Sequence, residues 1–196
     1  MSRAPQEATS PAMRYIPNLI TLARLCIAPL EVGVLLQGRY VAATALFLAA
    51  GVSDALDGFL ARRFRWFTRL GAVLDPVADK VVLLATLVTT TWLGLVPDWV
   101  ASSLIGRDAL IIGGAAAYRW LFGELDIAPS RLGKIHVFLE FALLGLVMAQ
   151  AAGFVGGGRW MHALFDVVFA SAALSGCHYV WTWSHKARRA AAAGAS

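Results

Sequence analysis

Charged residues are scarce in this chain, because only 15% of its 196 residues are Asp, Glu, Lys or Arg. Hydrophobic residues make up 59%, and the mean hydropathy is +0.66. This composition excludes an ordinary soluble domain and is typical of a membrane protein. The chain has only two cysteines, Cys26 and Cys177, both with apolar neighbours. A disulfide framework and a cysteine metal site are therefore excluded, and we expect both thiols to be buried.

The first residues also lack the apolar core of a signal peptide. Residues 1–15 are polar and contain Pro5, Glu7 and Pro11, so no cleaved targeting sequence is apparent. We expect residues 1–15 to form a cytoplasmic N-terminal segment. At the other end, the basic and small residues over 186–196 predict a disordered cytoplasmic tail.

Six long apolar stretches lie between these ends. Each has at least the roughly 20 residues that a helix needs to cross a bilayer. They cover residues 16–36, 41–61, 71–93, 99–121, 132–152 and 161–183, and short breaks rich in Gly, Pro or charge separate them. The chain is therefore predicted to be all-α: an integral membrane bundle of six transmembrane helices, forming one domain over residues 16–185.

The positive charges predict how this bundle is oriented, because Lys and Arg in short loops collect on the cytoplasmic side. Only Arg39 and Arg159 would lie on the opposite side. Twelve basic residues would share the cytoplasmic side: Arg3, Arg14, Arg62, Arg63, Arg65, Arg69, Arg119, Arg131, Lys134, Lys186, Arg188 and Arg189. Both termini are thus expected in the cytoplasm. The net charge of +5 reflects this topology, and no nucleic-acid partner is expected.

Four aspartates interrupt the second and third apolar stretches. On each stretch they share a helix face with small residues, because the spacings are i, i+3, i+4, i+7 and i, i+4, i+8. The two faces consist of Asp54, Asp57, Gly58 and Ala61, and of Gly71, Asp75 and Asp79. A basic turn over residues 62–70 joins the stretches, so an antiparallel hairpin would bring the faces together. Acidic side chains inside a membrane indicate a functional site, and converging carboxylates suit hard divalent cations.

The spacing from Asp54 to Asp79 reads D-x2-D-G-x2-A-R-x8-G-x3-D-x3-D. It resembles, without a departure, the motif of the CDP-alcohol phosphotransferase family of membrane phospholipid synthases. The resemblance implies that an acceptor hydroxyl attacks the phosphorus of a CDP-alcohol and that CMP leaves. It also implies divalent cations, Mg²⁺ or Mn²⁺, as cofactors, with two ions held by Asp54, Asp57, Asp75 and Asp79. Asp79 would in addition take the proton from the attacking hydroxyl.

The resemblance further implies a donor site beside these aspartates. Its residues would be Asp54, Gly58, Ala61, Arg62 and Gly71. Simpler interpretations exist for each kind of residue. The aspartates would cap helices or pair with nearby arginines, the small residues would allow close helix packing, and Arg62 would be a topogenic charge.

Three further segments resemble the branch of the family that makes anionic glycerophospholipids, the cardiolipin and phosphatidylglycerophosphate synthases. They are Pro17 to Arg24, Arg107-Asp108 and Ser130 to Lys134. Arg24 lies in an apolar stretch and needs a partner, either a donor phosphate or an aspartate. Arg107, Arg131 and Lys134 would form a basic pocket for the acceptor phosphate. Alternatively, Arg107 and Asp108 would neutralise each other, and Arg131 would be a cytoplasmic anchor.

The residues after Lys134 bear on the acceptor. Phosphatidylglycerophosphate synthases continue G-K-x-K-T, whereas this chain reads Gly133-Lys134-Ile135-His136-Val137. The missing second lysine and the Arg-Asp pair favour phosphatidylglycerol as acceptor, with glycerol 3-phosphate as the alternative. His136 would bond the acceptor or a water, or be a packing residue.

The sequence thus predicts a phosphatidyltransferase that uses CDP-diacylglycerol in a membrane, with its active site facing the cytoplasm. A bacterial inner membrane is the expected location, and the resemblance implies a homodimer. A small cation transporter is a second possibility, but its carboxylates would lie near the midplane of several helices. A catalytically inactive scaffold is a third, against which the intact motif argues.

Overall fold

The computed structural model describes residues 16–64, 69–122 and 130–193, and these ranges contain six α-helices and no strand. The helices are α1 (Ile16–Leu36), α2 (Tyr40–Phe64), α3 (Arg69–Trp92), α4 (Asp98–Phe122), α5 (Arg131–Ala151) and α6 (Arg159–Ala193). The all-helical class is confirmed, and most predicted boundaries agree within three residues. The predicted N-terminal segment, residues 1–15, lies outside the described residues.

In the described ranges, four helices are long and apolar enough to cross a membrane. The segments are Leu19–Leu36, Asp98–Trp120, Arg131–Ala151 and Arg159–Lys186. Among the described side chains of α2, the apolar part is shorter and covers Tyr40–Leu56. In α3, Asp75, Asp79 and Lys80 interrupt the apolar stretch. The chain is an integral membrane protein, and the number of helices that cross the membrane stays a prediction.

Three connections between helices use the same type of turn. Gly38, Gly94 and Gly153 follow α1, α3 and α5 with φ angles of 71°, 70° and 79°, a conformation that favours glycine. After α1, the Gly38 amide donates to the Leu35 carbonyl at 2.9 Å, and the next amide donates to the Val34 carbonyl at 3.0 Å. This pair of bonds is the Schellman motif, and it recurs after α3 and α5. The breaks predicted at these glycines are confirmed.

Two expectations are corrected by the helices. α6 continues to Ala193, so a disordered tail does not hold for residues 186–193. Residues 190–193 are all alanine, the strongest helix former. Cys26 and Cys177 are both exposed, so the prediction that they are buried is wrong. Apolar neighbours do not imply burial in a membrane protein, because lipid tails are as apolar as a protein core.

The chain divides into two compact units, residues 1–89 and 90–196. In the first unit α1 packs against α2. The buried face of α1 has residues at alternating spacings of three and four, as expected for one helix face. These residues are Thr21, Arg24, Ala28, Glu31 and Leu35. Three of the five are polar, so the sequence builds a polar seam into the interior of this unit.

In the second unit α6 packs against both α4 and α5. Apolar residues from all three helices are buried, among them Leu104 of α4, Leu144 of α5 and Val168 of α6. His136 and Glu140 of α5 and Ser175 of α6 are buried with them. Each unit therefore has polar groups within its core.

Candidate active site

The polar seam of the first unit consists of bonds between α1 and α3. These bonds join Thr21 to Asp75, Arg24 to Asp79 and Glu31 to Thr86. The partners are 54, 55 and 55 residues apart in the sequence. Because this sequence separation stays nearly constant from one bonded pair to the next, α1 and α3 run parallel in one register over this stretch.

Arg24 joins the two acidic helices. Its Nη1 donates to Asp54 Oδ1 of α2 at 3.0 Å and also to Asp79 Oδ1 of α3. The Arg24 side chain is only 2% exposed, whereas those of Asp54 and Asp79 are 46% and 40% exposed. A buried cation in a membrane segment requires such partners. The sequence predicted either a donor phosphate or an aspartate as the partner of Arg24, and in the structure Arg24 is bonded to aspartates.

Asp75 is held by the same turn of α1. The buried Thr21 hydroxyl donates to Asp75 Oδ1 at 2.5 Å. Asp54, Asp75 and Asp79 therefore all contact one turn of α1. The hairpin predicted from the sequence consists of α2 and α3 only, although Thr21 and Arg24 of α1 belong to a segment that resembles the family. The element that gathers the aspartates is thus the first helix.

Part of the predicted donor site lies outside the described residues. This applies to the side chains of Asp57, Ala61 and Arg62, and to Gly71. Gly58 is described and is half-buried on α2. Whether these residues share a face with the described aspartates stays a prediction.

The carboxylates suit a divalent cation in their chemistry. Among the described side chains, which do not include that of Asp57, no group of three or more His, Cys, Asp or Glu is arranged to hold a metal ion. Asp54, Asp75 and Asp79 nevertheless supply hard oxygen ligands, which Mg²⁺ and Mn²⁺ prefer. Two of them keep part of their surface exposed. Among the described side chains, Arg24 places a positive charge beside Asp54 and Asp79.

A second polar cluster lies in the second unit around Arg107 of α4. Its Nη1 donates to Asp108 Oδ1 at 2.8 Å, and its Nη2 donates to Ser175 Oγ of α6 at 3.0 Å. The guanidinium carbon is 6.0 Å from the centre of the Tyr179 ring. The predicted neutralisation of Arg107 by Asp108 is thus present. Its predicted contact with an acceptor phosphate stays a prediction.

The first turn of α5 adjoins this cluster. Ser130 caps the helix, accepting from the Gly133 amide at 3.0 Å, and its own amide donates to the Tyr179 hydroxyl at 3.4 Å. A Cβ atom on Gly133 would be 3.4 Å from Arg107 Nη2. The structure therefore brings Arg107 next to the segment that contains Arg131 and Lys134. Both of these side chains are exposed.

His136 points away from solvent and into the second unit. It is fully buried, and its Nδ1 is 2.8 Å from Ser171 Oγ of α6. Its Nε2 is 4.0 Å from Glu140 Oε2, one turn along α5. Of the two predictions for His136, these contacts support the packing role.

The sequence reasoning did not identify Glu31, Glu140, Ser171, Ser175 or Tyr179. Glu31 and Glu140 carried a usable signal, since a carboxylate inside an apolar stretch requires a partner. Serine and tyrosine occur widely in membrane helices, so the two serines and Tyr179 carried no such signal.

The chain is similar to known proteins over most of its length. Residues 14–177 match the family model described as CDP-alcohol phosphatidyltransferase. A cardiolipin synthase (CMP-forming) of Streptomyces coelicolor is 33% identical over 162 residues, which cover 79% of this chain and 74% of that protein. A CDP-diacylglycerol–glycerol-3-phosphate 3-phosphatidyltransferase of Aquifex aeolicus is 36% identical over 135 residues, covering 67% of this chain and 74% of that protein.

A longer relative matches only in part. It is a cardiolipin synthase (CMP-forming)/mitochondrial hydrolase fusion protein of Schizosaccharomyces pombe, 29% identical over 179 residues. The match covers 84% of this chain but only 30% of the fusion protein.

Proposed function

Since this chain belongs to the CDP-alcohol phosphatidyltransferase family, we propose that it transfers the phosphatidyl group of CDP-diacylglycerol to a glycerol-type acceptor hydroxyl and releases CMP. The observation that supports this most is the contact of three motif aspartates with one turn of α1. Asp75 is bonded by Thr21, and Asp54 and Asp79 are bonded by Arg24. The site therefore combines acidic groups and a buried cation, as a reaction of a diphosphate requires.

The four motif aspartates would hold two divalent cations, Mg²⁺ or Mn²⁺. They are Asp54, Asp57, Asp75 and Asp79. Such cations, when bound, neutralise the diphosphate and stabilise both the entering and the leaving oxygen of an in-line displacement. Gly58, Ala61 and Gly71 would leave space for the nucleotide, and Arg62 would contact it.

Asp79 would accept the proton of the attacking hydroxyl. Its side chain is 40% exposed, so an acceptor can reach it. Its ion pair with Arg24 fixes its position relative to Asp54. Arg24 would also place a positive charge beside the donor phosphates. The chain's own residues thus orient the carboxylate.

The acceptor is proposed to be phosphatidylglycerol, held by Arg107, Arg131 and Lys134. The reason is the sequence after Lys134, where a second lysine is missing. Glycerol 3-phosphate is the second candidate. The relative from Aquifex aeolicus is named for that acceptor and is 36% identical, close to the 33% of the cardiolipin synthase from Streptomyces coelicolor.

The arrangement in the membrane is proposed from the charge distribution. All six helices would span the bilayer, with both termini and the active site on the cytoplasmic side, in a bacterial inner membrane. The motif would then face the compartment that contains the nucleotide and divalent cations. A homodimer is proposed from the family resemblance.

Purified protein in lipid nanodiscs tests this function. It is supplied with CDP-diacylglycerol, Mg²⁺ and either phosphatidylglycerol or glycerol 3-phosphate, and CMP release and lipid products are measured by mass spectrometry. We expect CMP and cardiolipin with phosphatidylglycerol. Efficient use of glycerol 3-phosphate alone would reverse the acceptor proposal. No CMP release with either acceptor would overturn the proposed function and favour a transporter.

A further inference from the structure

A groove of about 620 Å³ lies between α4 and α6 in the second unit. This volume is within the range of ordinary ligand pockets. The lining is mostly apolar or small, and includes Leu110 of α4 and Phe169, Ala173, Gly176 and Val180 of α6. Both helices are long and apolar enough to cross a membrane. The groove is therefore suited to an apolar ligand that lies within a bilayer.

Arg107 is the charged residue among those that line this groove. Its side chain is 9% exposed. Nη1 and Nη2 are bonded to Asp108 and Ser175, but the buried Nε has no hydrogen-bond partner among the described residues. A buried N–H without a partner is costly, so a ligand that supplies an acceptor there would bind favourably.

The chemistry of the missing hydrogen-bond acceptor for Nε follows from the neighbours of Arg107. Asp108 already balances the guanidinium charge at 2.8 Å. One remaining N–H beside an apolar groove suits a single neutral acceptor, such as the ester carbonyl of a phospholipid, better than an anion. An ester carbonyl is also the polar group directly attached to an acyl chain.

Arg107 borders the groove and the first turn of α5 at once. Its Cγ would lie 4.0 Å from a Cβ on Gly176, which lines the groove, while its Nη2 would lie 3.4 Å from a Cβ on Gly133. Gly133 precedes the exposed Lys134. A phospholipid could therefore place its headgroup near Lys134 and an acyl chain in the groove.

We propose that the groove between α4 and α6 holds an acyl chain of the lipid acceptor, with Arg107 Nε donating to its ester carbonyl. This inference rests on the proposed phosphatidyltransferase function and identifies the acceptor as a membrane phospholipid. Glycerol 3-phosphate has no acyl chain and gains nothing from the groove. A second copy of the chain would fill the apolar groove as well, but the unpartnered Nε favours a ligand with an ester carbonyl.

A groove-filling variant and a matched control test the proposal. Ala173→Phe places a ring in the groove from an exposed position, whereas Ala170→Phe adds the same ring at an exposed position of α6 that does not line the groove. KM is measured for long-chain phosphatidylglycerol, for short-chain phosphatidylglycerol and for CDP-diacylglycerol. Thermal unfolding of both variants checks that they fold.

We expect Ala173→Phe to raise the KM for the long-chain acceptor about tenfold, because the ring takes the space of the acyl chain and leaves about two of its methylene groups unburied. The other two KM values should change less than about twofold, as should all three in Ala170→Phe. Equal behaviour of the two variants would overturn the groove assignment while leaving the transferase function intact. A change in the KM for CDP-diacylglycerol alone would assign the chain to the donor and also overturn it.

Direct labelling gives a second measurement that does not depend on turnover. Phosphatidylglycerol with a photoreactive group in its acyl chain is activated on the wild-type protein, and labelled peptides are mapped. We expect label at Cys177 and Trp181, which line the groove, and less label in Ala173→Phe. Uniform label on all helices would indicate surrounding lipid only. A monomer formed by Ala173→Phe from a wild-type dimer would indicate a second copy as the occupant. Either result would overturn the proposal, as would a wild-type enzyme that uses only glycerol 3-phosphate.

Discussion

Glu31 of α1 accepts a hydrogen bond from the Thr86 hydroxyl of α3 at 2.7 Å, and both side chains are buried. Each residue lies seven positions after a partner in the active-site ion pair, since Arg24 precedes Glu31 and Asp79 precedes Thr86. Seven residues are about two helical turns. Two such contacts in one register prevent α1 from sliding along α3, because a shift of one turn would break both. Glu31 therefore helps to hold Arg24 against Asp79.

Glu31→Ala should destabilise the protein and Glu31→Gln should not. Glutamine keeps an oxygen that accepts from Thr86, whereas alanine removes the acceptor and leaves a cavity, which costs about 2 kcal/mol or more. Thermal unfolding in detergent measures the difference, with Cys26→Ala as a control at an exposed position of α1. An alanine variant as stable as the wild type would show that the Glu31 contact does not hold the register.

Arg24→Gln should strengthen metal binding while lowering turnover. The Arg24 charge lies beside Asp54 and Asp79 and competes with any cation there, so its removal should raise Mn²⁺ affinity by about tenfold or more, the equivalent of about 1.4 kcal/mol. Electron paramagnetic resonance of free Mn²⁺ measures this without substrate. Arg39→Gln, in the exposed linker after α1, is the control. Lost turnover at unchanged Mn²⁺ affinity would mean that Arg24 acts on the donor alone.

Asparagine at the aspartates that are proposed to bind metal should abolish most activity at each position. Asp54→Asn, Asp57→Asn and Asp75→Asn each remove one charge from a group that acts as a unit, so we expect turnover to fall at least about a hundredfold. The variants should still insert and fold. Asp98→Asn, at the exposed start of α4, is the matched control. Near-normal turnover of any one of the three at saturating Mg²⁺ would falsify the two-metal proposal.

Asp79→Asn should separate chemistry from donor binding. If Asp79 accepts the hydroxyl proton, the side-chain amide of asparagine cannot replace it. Transfer should then stop, while CDP-diacylglycerol still binds in the presence of divalent cation. Binding of labelled CDP-diacylglycerol and CMP release are measured on the same preparation. A loss of donor affinity equal to the loss of rate would make Asp79 a ligand only.

The sequence predicted the helices well because their signals are local. Long apolar stretches and the three glycines of the Schellman turns define most helix boundaries. The end of α6 was missed because a basic, alanine-rich segment is compatible with both a helix and a tail. The exposure of Cys26 and Cys177 was missed because a sequence does not show which apolar faces contact lipid.

The candidate site was predictable in its composition but not in its contacts. The aspartates stand out because charge is rare in apolar stretches, and Arg24 was expected to need a partner for the same reason. That Arg24 contacts aspartates from two helices, and that Thr21 bonds a third, depends on the register of α1 and α3. Such a register arises from packing between segments far apart in the sequence. The same applies to His136, whose contact with Ser171 joins α5 to α6.

Lys134→Gln should weaken binding of the acceptor substrate and leave binding of the donor unaffected. Lys134 is exposed in the first turn of α5, beside the Gly133 that Arg107 approaches, so its ammonium is placed to meet an acceptor phosphate. Loss of a charge-assisted contact should raise the acceptor KM about tenfold or more, with the KM for CDP-diacylglycerol nearly unchanged. Arg119→Gln, at an exposed position near the end of α4, is the charge-matched control. Equal effects of the two substitutions would show that Lys134 contributes only general positive charge, since a specific phosphate contact requires its position in the first turn of α5.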